Sequence, residues 1–192
     1  RGARDVLGDR ISTGIVLTKD GHLGEPVAGF RCFEASHPVP DERGVEATRE
    51  IIRAVDGLTQ DDVVLALISG GGSALLEAPR APVTLAAIRE TTSLLMHAGA
   101  GIHALNAVRR RISDVKGGGL LAKMGEATCV SLLLSDVLGN DPHTIASGPT
   151  VPPPVDAPDP IEVVRRFNVE DRLPSTVSEA LLADDADPWP FN

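Results

Sequence analysis

Six consecutive apolar residues, Val63-Val64-Leu65-Ala66-Leu67-Ile68, run without a break into Ser69-Gly70-Gly71-Gly72-Ser73. This junction constrains the fold more than any other feature. A short, uninterrupted, partly β-branched run is the pattern of a strand covered on both faces of a parallel sheet. Three glycines at its carboxyl end free the backbone from side-chain sterics where the chain must turn. A second junction of the same kind follows, because the apolar segment 128–134 ends in Ser135-Asp136-Val137. Open α/β sheets bind ligands outside the carboxyl ends of their strands. Both junctions are therefore expected on one edge, facing one site.

The rest of the chain supports that frame. Gly14-Ile15-Val16-Leu17-Thr18, followed by Lys19-Asp20-Gly21, reads as a strand and turn, and 30–35 as a weaker strand. Val45, Thr48, Ile52 and Val55 recur at helical spacing before Gly57. Thr84 is placed to cap a helix carrying Leu85, Ile88, Thr92 and Leu95, closed by Gly99. Further helices are predicted over 102–112, 160–167 and 175–183. Strands alternating with helices predict an α/β, Rossmann-like layered domain: a largely parallel sheet flanked by helices. The predicted organisation is an α/β core over 1–150, a connection over 151–160 with five prolines, and a helical segment over 161–192.

Composition removes several functional classes. Of 192 residues, 42% are hydrophobic and 23% charged, enough to bury a core. Eighteen basic against 27 acidic residues leave a formal charge of -9, which repels nucleic acid at long range. Aromatic residues are 3% with no Tyr, so base-stacking platforms are lacking too. No apolar run approaches the 18 or more residues of a membrane span, and the opening RGARDVLGDR lacks the apolar stretch of a secretory signal. Cys32 and Cys129 cannot make a disulfide framework or a four-cysteine zinc site, and they suit a reducing, cytoplasmic compartment.

Four stretches carry residues suited to chemistry. Ser69, Gly70, Gly71, Gly72 and Ser73 read either as an anion cradle, assisted by the helix start after Ser73, or as a tight turn needing positive φ. The spacing is neither a Walker A loop nor GxGxxG. Asp136 follows an apolar strand directly, where it can take a hydroxyl proton, hold Mg²⁺ or cap the next turn; Asp141 shares that ambiguity. Ser147-Gly148-Pro149-Thr150 reads as a second anion-binding turn or a simple reversal. Arg109, Arg110 and Arg111 must fan around one helix, most of them into solvent. Lys116, before Gly117-Gly118-Gly119, is expected to reach a phosphate oxygen as a point charge. His37, before Pro38, reads as a structural histidine ahead of a catalytic one.

Together, HPVPDERG, LISGGGSALL, IHALNAVRRRISDVKGG and SDVLGNDPHTIASGPT resemble, in order and spacing, the class II glycerate 2-kinase family, some of whose members are called hydroxypyruvate reductases. The resemblance covers roughly residues 37–150 and implies the N-terminal domain of such an enzyme. It implies transfer of the ATP γ-phosphoryl group to the 2-hydroxyl of D-glycerate with Mg²⁺. Asp136 and Lys116 are then the expected catalytic residues, with Asp136 also the magnesium candidate. Ser69, Gly70, Gly71, Gly72, Ser73, Asn106, Arg109, Ser147 and Thr150 are the expected substrate- and phosphate-binding residues. Asn140 stands where the family usually has the first of two adjacent aspartates. A homodimer is left open. Because the family carries an upstream lysine segment and a closing C-terminal domain, residues 1–192 alone are expected to be inactive. The competing readings are an anion- or nucleotide-binding module without turnover, and a hydroxypyruvate reductase.

Overall fold

The computed structural model describes residues 1–135 and 137–183. After a short helix α1 (Gly2–Leu7), strand β1 (Gly14–Lys19) pairs in parallel with β2 (Phe30–Ala35), from Gly14 opposite Phe30 to Lys19 opposite Ala35. Helix α2 (Glu42–Val55) then leads to β3 (Val63–Ser69). After the single turn α3 (Gly72–Leu75), the helices α4 (Leu85–His97) and α5 (Ile102–Arg111) and the single turn α6 (Gly119–Ala122), the chain returns to β4 (Thr128–Leu134). β3 and β4 are parallel, with Ser69 beside Leu134. The two junctions therefore emerge on one edge, as expected.

The fold is α/β with parallel strands flanked by helices, but the strands form two separate two-stranded sheets rather than one. A second difference concerns β3. Val63 is 69% exposed and Leu67 59%, and on β4 Val130, Leu132 and Leu134 are also exposed. The opposite face, including Val64 and Cys129, packs on Ile51, Ile52, Val55, Leu120 and Met124. A continuous apolar run carries no alternation, so it could not reveal that only one face of this sheet is covered within the chain.

The helices start where local chemistry permits. Asp41 caps α2 by accepting the Gly44 N–H at 3.0 Å, and Thr84 caps α4 by accepting the Ala87 N–H at 3.1 Å. Asp159 caps α7 (Pro160–Arg166), whose first position holds Pro160, where a missing N–H costs nothing. Helices α4, α5, α7 and α8 (Ser175–Leu182) share one apolar cluster built on Leu95, Val108, Ile112, Val163, Val169 and Val177. No helix among the described residues is long and apolar enough to cross a membrane.

Candidate functional site

The glycine segment borders a cleft of about 990 Å³ between the two sheets. Ile15 and Leu17 of β1, Leu65 and Ile68 of β3, Gly70, Gly71 and Gly72, and Ser135 and Ala146 all line it. Gly71 has φ +80°, and a Cβ there would stand 3.0 Å from His37 Nε2. A Cβ on Gly72 would stand 2.8 Å from that of Ala146. The tight turn and the close approach expected of this segment are therefore both present. The helix that follows is one turn long, so its pole adds little to any cradle.

Lys116 lies beneath this loop, not at its mouth. It is 3% exposed, and its Nζ donates to the carbonyls of Ser73 (2.8 Å) and Leu76 (3.0 Å) and pairs with Glu77 Oε2 at 3.2 Å. Glu77 is 2% exposed; its Oε1 accepts the Ser113 hydroxyl at 2.6 Å and the Ala78 N–H at 3.0 Å. Burial pushes the Lys116 ammonium below its ordinary pKa, and the Glu77 carboxylate works against that fall. With its protons committed to three partners, the ammonium braces the loop's carbonyls. Nor are the glycines after it a second open backbone patch: Gly117 N–H donates to Ser147 O at 2.9 Å and Gly118 N–H to Gly148 O.

That clasped turn is unusual in itself. Ala146, Ser147 and Gly148 all have positive φ, 52°, 64° and 63°. For Ala and Ser this conformation is strained, and such strain gathers at functional sites. It places the Ser147 hydroxyl 2.7 Å from that of Ser73 and lets it donate to Asn106 Oδ1 at 2.9 Å. Ser73, Ser147 and Asn106 thus form one hydrogen-bonded chain joining the glycine loop to α5. Thr150 stands apart from it, accepting the Ser131 hydroxyl at 2.8 Å and tying the turn to β4. Ser69 ends β3 beside Leu134.

The three arginines diverge, as their helical positions require, but the expectation that most are solvated fails. Arg109 and Arg110 are both partly buried, and burial lowers the pKa of each. The Arg109 guanidinium feels the Glu77 carboxylate, and that of Arg110 feels Asp141. Arg111 donates to the carbonyls of Ala180 (3.1 Å) and Ala183, binding α5 to α8. Arg111 is drawn out of water by α8, and the Arg110 stem by Gly117, partners that lie away from α5 in the chain.

Asp136 lies outside the described residues. Among the described residues no group of three His, Cys, Asp or Glu side chains could hold a metal. Asp141 has both oxygens engaged, by the His143 N–H at 3.0 Å and the Thr144 hydroxyl at 2.6 Å. Asp141 is thereby held within its own turn. Two residues gain importance here: His37, read from the sequence as structural, and Glu77, which the sequence did not single out. His37 lines the cleft beside Gly71, and Glu77 is the counter-charge of Lys116. The backbone restriction at Pro38 was a signal for the first; nothing in LEAP around Glu77 signalled the second.

A family model described as a domain of unknown function, DUF4147, matches residues 2–182. A protein of Thermotoga maritima named D-glycerate 2-kinase is 41% identical over 96% of this chain and 44% of its own length. One of Agrobacterium vitis named putative hydroxypyruvate reductase is 42% identical over 92% of this chain and 40% of its own. A crystal structure of glycerate kinase from Thermotoga maritima superposes with a TM-score of 0.88 and 42% identity, over 94% of this chain and 43% of that one. The chain spans less than half the length of the curated relatives it matches.

Proposed function

Because the chain belongs to the DUF4147 family, whose match here coincides with similarity to glycerate kinases, we propose that it is the phosphate-handling part of a D-glycerate 2-kinase. The longer protein would move the γ-phosphoryl group of ATP to the 2-hydroxyl of D-glycerate, giving 2-phosphoglycerate and ADP. The observation that carries this reading is the 2.7 Å contact between Ser73 and Ser147, which joins a glycine loop and a left-handed turn at the edge of one large cleft. Phosphoryl transfer asks little covalent chemistry of a protein; it asks for positioning and for charge placed against phosphate oxygens.

In this reading Gly70, Gly71 and Gly72 let backbone approach the phosphates, while the Ser73 and Ser147 hydroxyls, committed to each other and to Asn106, fix where that backbone stands. Arg109 supplies positive charge from α5. Lys116 acts through the loop it braces, as a positioning residue. Asp136 orients the 2-hydroxyl or accepts its proton. Magnesium, when bound, spreads the charge of the triphosphate, and Asp136 is the residue we assign to it, since such an ion takes only one or two carboxylates.

The reductase name borne by some relatives asks for a nicotinamide site, and ISGGGSALL is not the dinucleotide fingerprint. Residues 1–192 alone are proposed to bind phosphate without turnover. The test is to supply the full-length protein with ATP and D-glycerate and identify the products by ³¹P NMR. Appearance of 2-phosphoglycerate with ADP is expected. Consumption of neither substrate refutes the proposal.

A further inference from the structure

A second cleft, of about 520 Å³, lies between α5, the loop after β4 and residues 154–158 of the proline-rich connection. From α5 it takes His103, Asn106 and Arg110, whose spacing of three and four residues puts them on one face of the helix. Asn106 is 2% exposed; its Oδ1 accepts the Ser147 hydroxyl, which leaves Nδ2 as a buried donor with no partner. His143 Nδ1, from the facing loop, is likewise buried without one. An unmade buried hydrogen bond is costly, so orphaned polar groups lining a cleft point to a ligand. Charge of both signs faces the same space. The Arg110 guanidinium is partly buried, makes no hydrogen bond or ion pair among the described residues, and feels Asp141 only through space. Asp141 is held by the Thr144 hydroxyl and the His143 N–H, and each of its oxygens keeps a free lone pair. A second carboxylate, Asp156 on the connection, has no hydrogen bond among the described residues. The rest of the border is apolar: Pro154, Ala157 and Pro158.

We propose that this cleft binds a free α-amino acid with an aliphatic side chain. The ligand carboxylate is received by the Arg110 guanidinium and the Asn106 amide. Its ammonium donates to Asp141 and Asp156, with His143 Nδ1 as a further acceptor. Its side chain lies on Pro154, Ala157 and Pro158. The selection follows from the charges. A simple anion gains Arg110 but is repelled by two carboxylates, and a simple amine gains the carboxylates but is repelled by Arg110. Only a ligand carrying both signs on neighbouring groups satisfies both. The assignment stands apart from the kinase reading, because it uses no residue of the glycine loop and names a ligand that is neither donor nor acceptor of the phosphoryl group.

The test is titration calorimetry of the full-length protein with L-leucine and two analogues of its shape: isocaproate, which lacks the ammonium, and isoamylamine, which lacks the carboxylate. L-leucine is expected to bind at least roughly 10-fold more tightly than either, the weight of one charge-assisted hydrogen bond. Arg110→Gln removes the cation and keeps most of the stem, and is expected to raise the Kd for L-leucine by roughly 10- to 100-fold. Asn106→Asp keeps the acceptor for Ser147 but sets a charge against the ligand carboxylate, and is expected to do the same. Asp156→Asn, at an exposed position, is expected to raise it by roughly 2- to 5-fold. Should Asn106→Asp fail to fold, Arg110→Gln decides. A repeat titration with D-glycerate present at saturation is expected to leave the Kd for L-leucine unchanged. No binding of L-leucine overturns the site, as does isocaproate or isoamylamine binding as tightly, or unchanged affinity in the folded variants. Displacement of L-leucine by D-glycerate also overturns it and hands the cleft to the phosphoryl acceptor. ADP formed from ATP and D-glycerate by a protein that ignores L-leucine sinks this site and leaves the kinase reading standing.

Discussion

Lys116 Nζ and Glu77 Oε2 stand 3.2 Å apart with both side chains almost wholly out of water. The pair lies directly beneath the glycine loop, because the same ammonium also holds the carbonyls of Ser73 and Leu76. Whatever the loop binds, its shape depends on this joint.

Breaking one half of a buried pair strands the other charge. Lys116→Met is therefore expected to cost about 3–5 kcal/mol in denaturant unfolding. Removing both charges, as Lys116→Met with Glu77→Leu, should restore more than half of that loss, while the loop's carbonyls remain unbraced. A phosphate-contacting Lys116 would behave in the opposite way, with stability nearly intact in the single variant and turnover gone.

Gly71 separates loop shape from loop occupancy. At φ +80° and with His37 Nε2 in the path of a Cβ, Gly71→Val should destabilise the chain by roughly 1–3 kcal/mol. The larger effect should be on nucleotide affinity, read by calorimetry on the folded variant. A folded variant that binds ATP as the parent does leaves the segment as a turn and nothing more.

Ser147→Ala cuts the chain of hydroxyls between Ser73 and Asn106 and leaves Asn106 Oδ1 buried without its donor. The expected loss is about 1–3 kcal/mol, together with a rise in KM for ATP, because Ser73 of the glycine loop loses the partner that fixes it. An unchanged KM for ATP would show that this chain of hydroxyls does not shape the phosphate-binding loop.

Acid should loosen the fold before base does. For Asp41, burial works to raise the carboxyl, but the Gly44 N–H and the Arg43 guanidinium outweigh it and hold it below its ordinary value. For Asp141, burial is outweighed in the same way by the Thr144 hydroxyl, the His143 N–H and the nearby His143 and His103 rings. Folded values below the unfolded ones mean that the unfolded chain binds more protons as pH falls. The stabilisation is thus complete above about pH 5 and fades as pH drops through the ordinary carboxyl range and below. Tm measured from pH 7 to pH 3 should fall, and the fall should shrink in Asp41→Asn and in Asp141→Asn. A profile identical in the parent and both variants would show that neither carboxylate contributes.

The elements set by local chemistry were legible in the residues. Thr84 announced α4, the period of Val45, Thr48, Ile52 and Val55 announced α2, and the 63–68 and 128–134 runs announced β3 and β4 with their shared edge. What stayed hidden depends on partners far along the chain. The split into two sheets turns on which strands pair, and no single run encodes that. Lys116 looked like a free cation because Glu77, 39 positions away, shows its role only once both are buried. Ala146 and Ser147 adopt positive φ with side chains that give no warning of it. Arg110 and Asp141 come together only when α5 meets the loop after β4.

Phosphoryl transfer from ATP to D-glycerate, as proposed, is read in the release of ADP. Full-length protein is incubated with D-glycerate and ATP, and ADP release is followed by a coupled assay, with hydroxypyruvate and a reduced nicotinamide cofactor supplied in parallel. ADP is expected to form at about 1–100 s⁻¹ only when D-glycerate is present, and Asp136→Asn to lower kcat by roughly 10²–10⁴-fold. Oxidation of the nicotinamide cofactor by hydroxypyruvate, with no ADP formed from D-glycerate, would replace the kinase by a reductase.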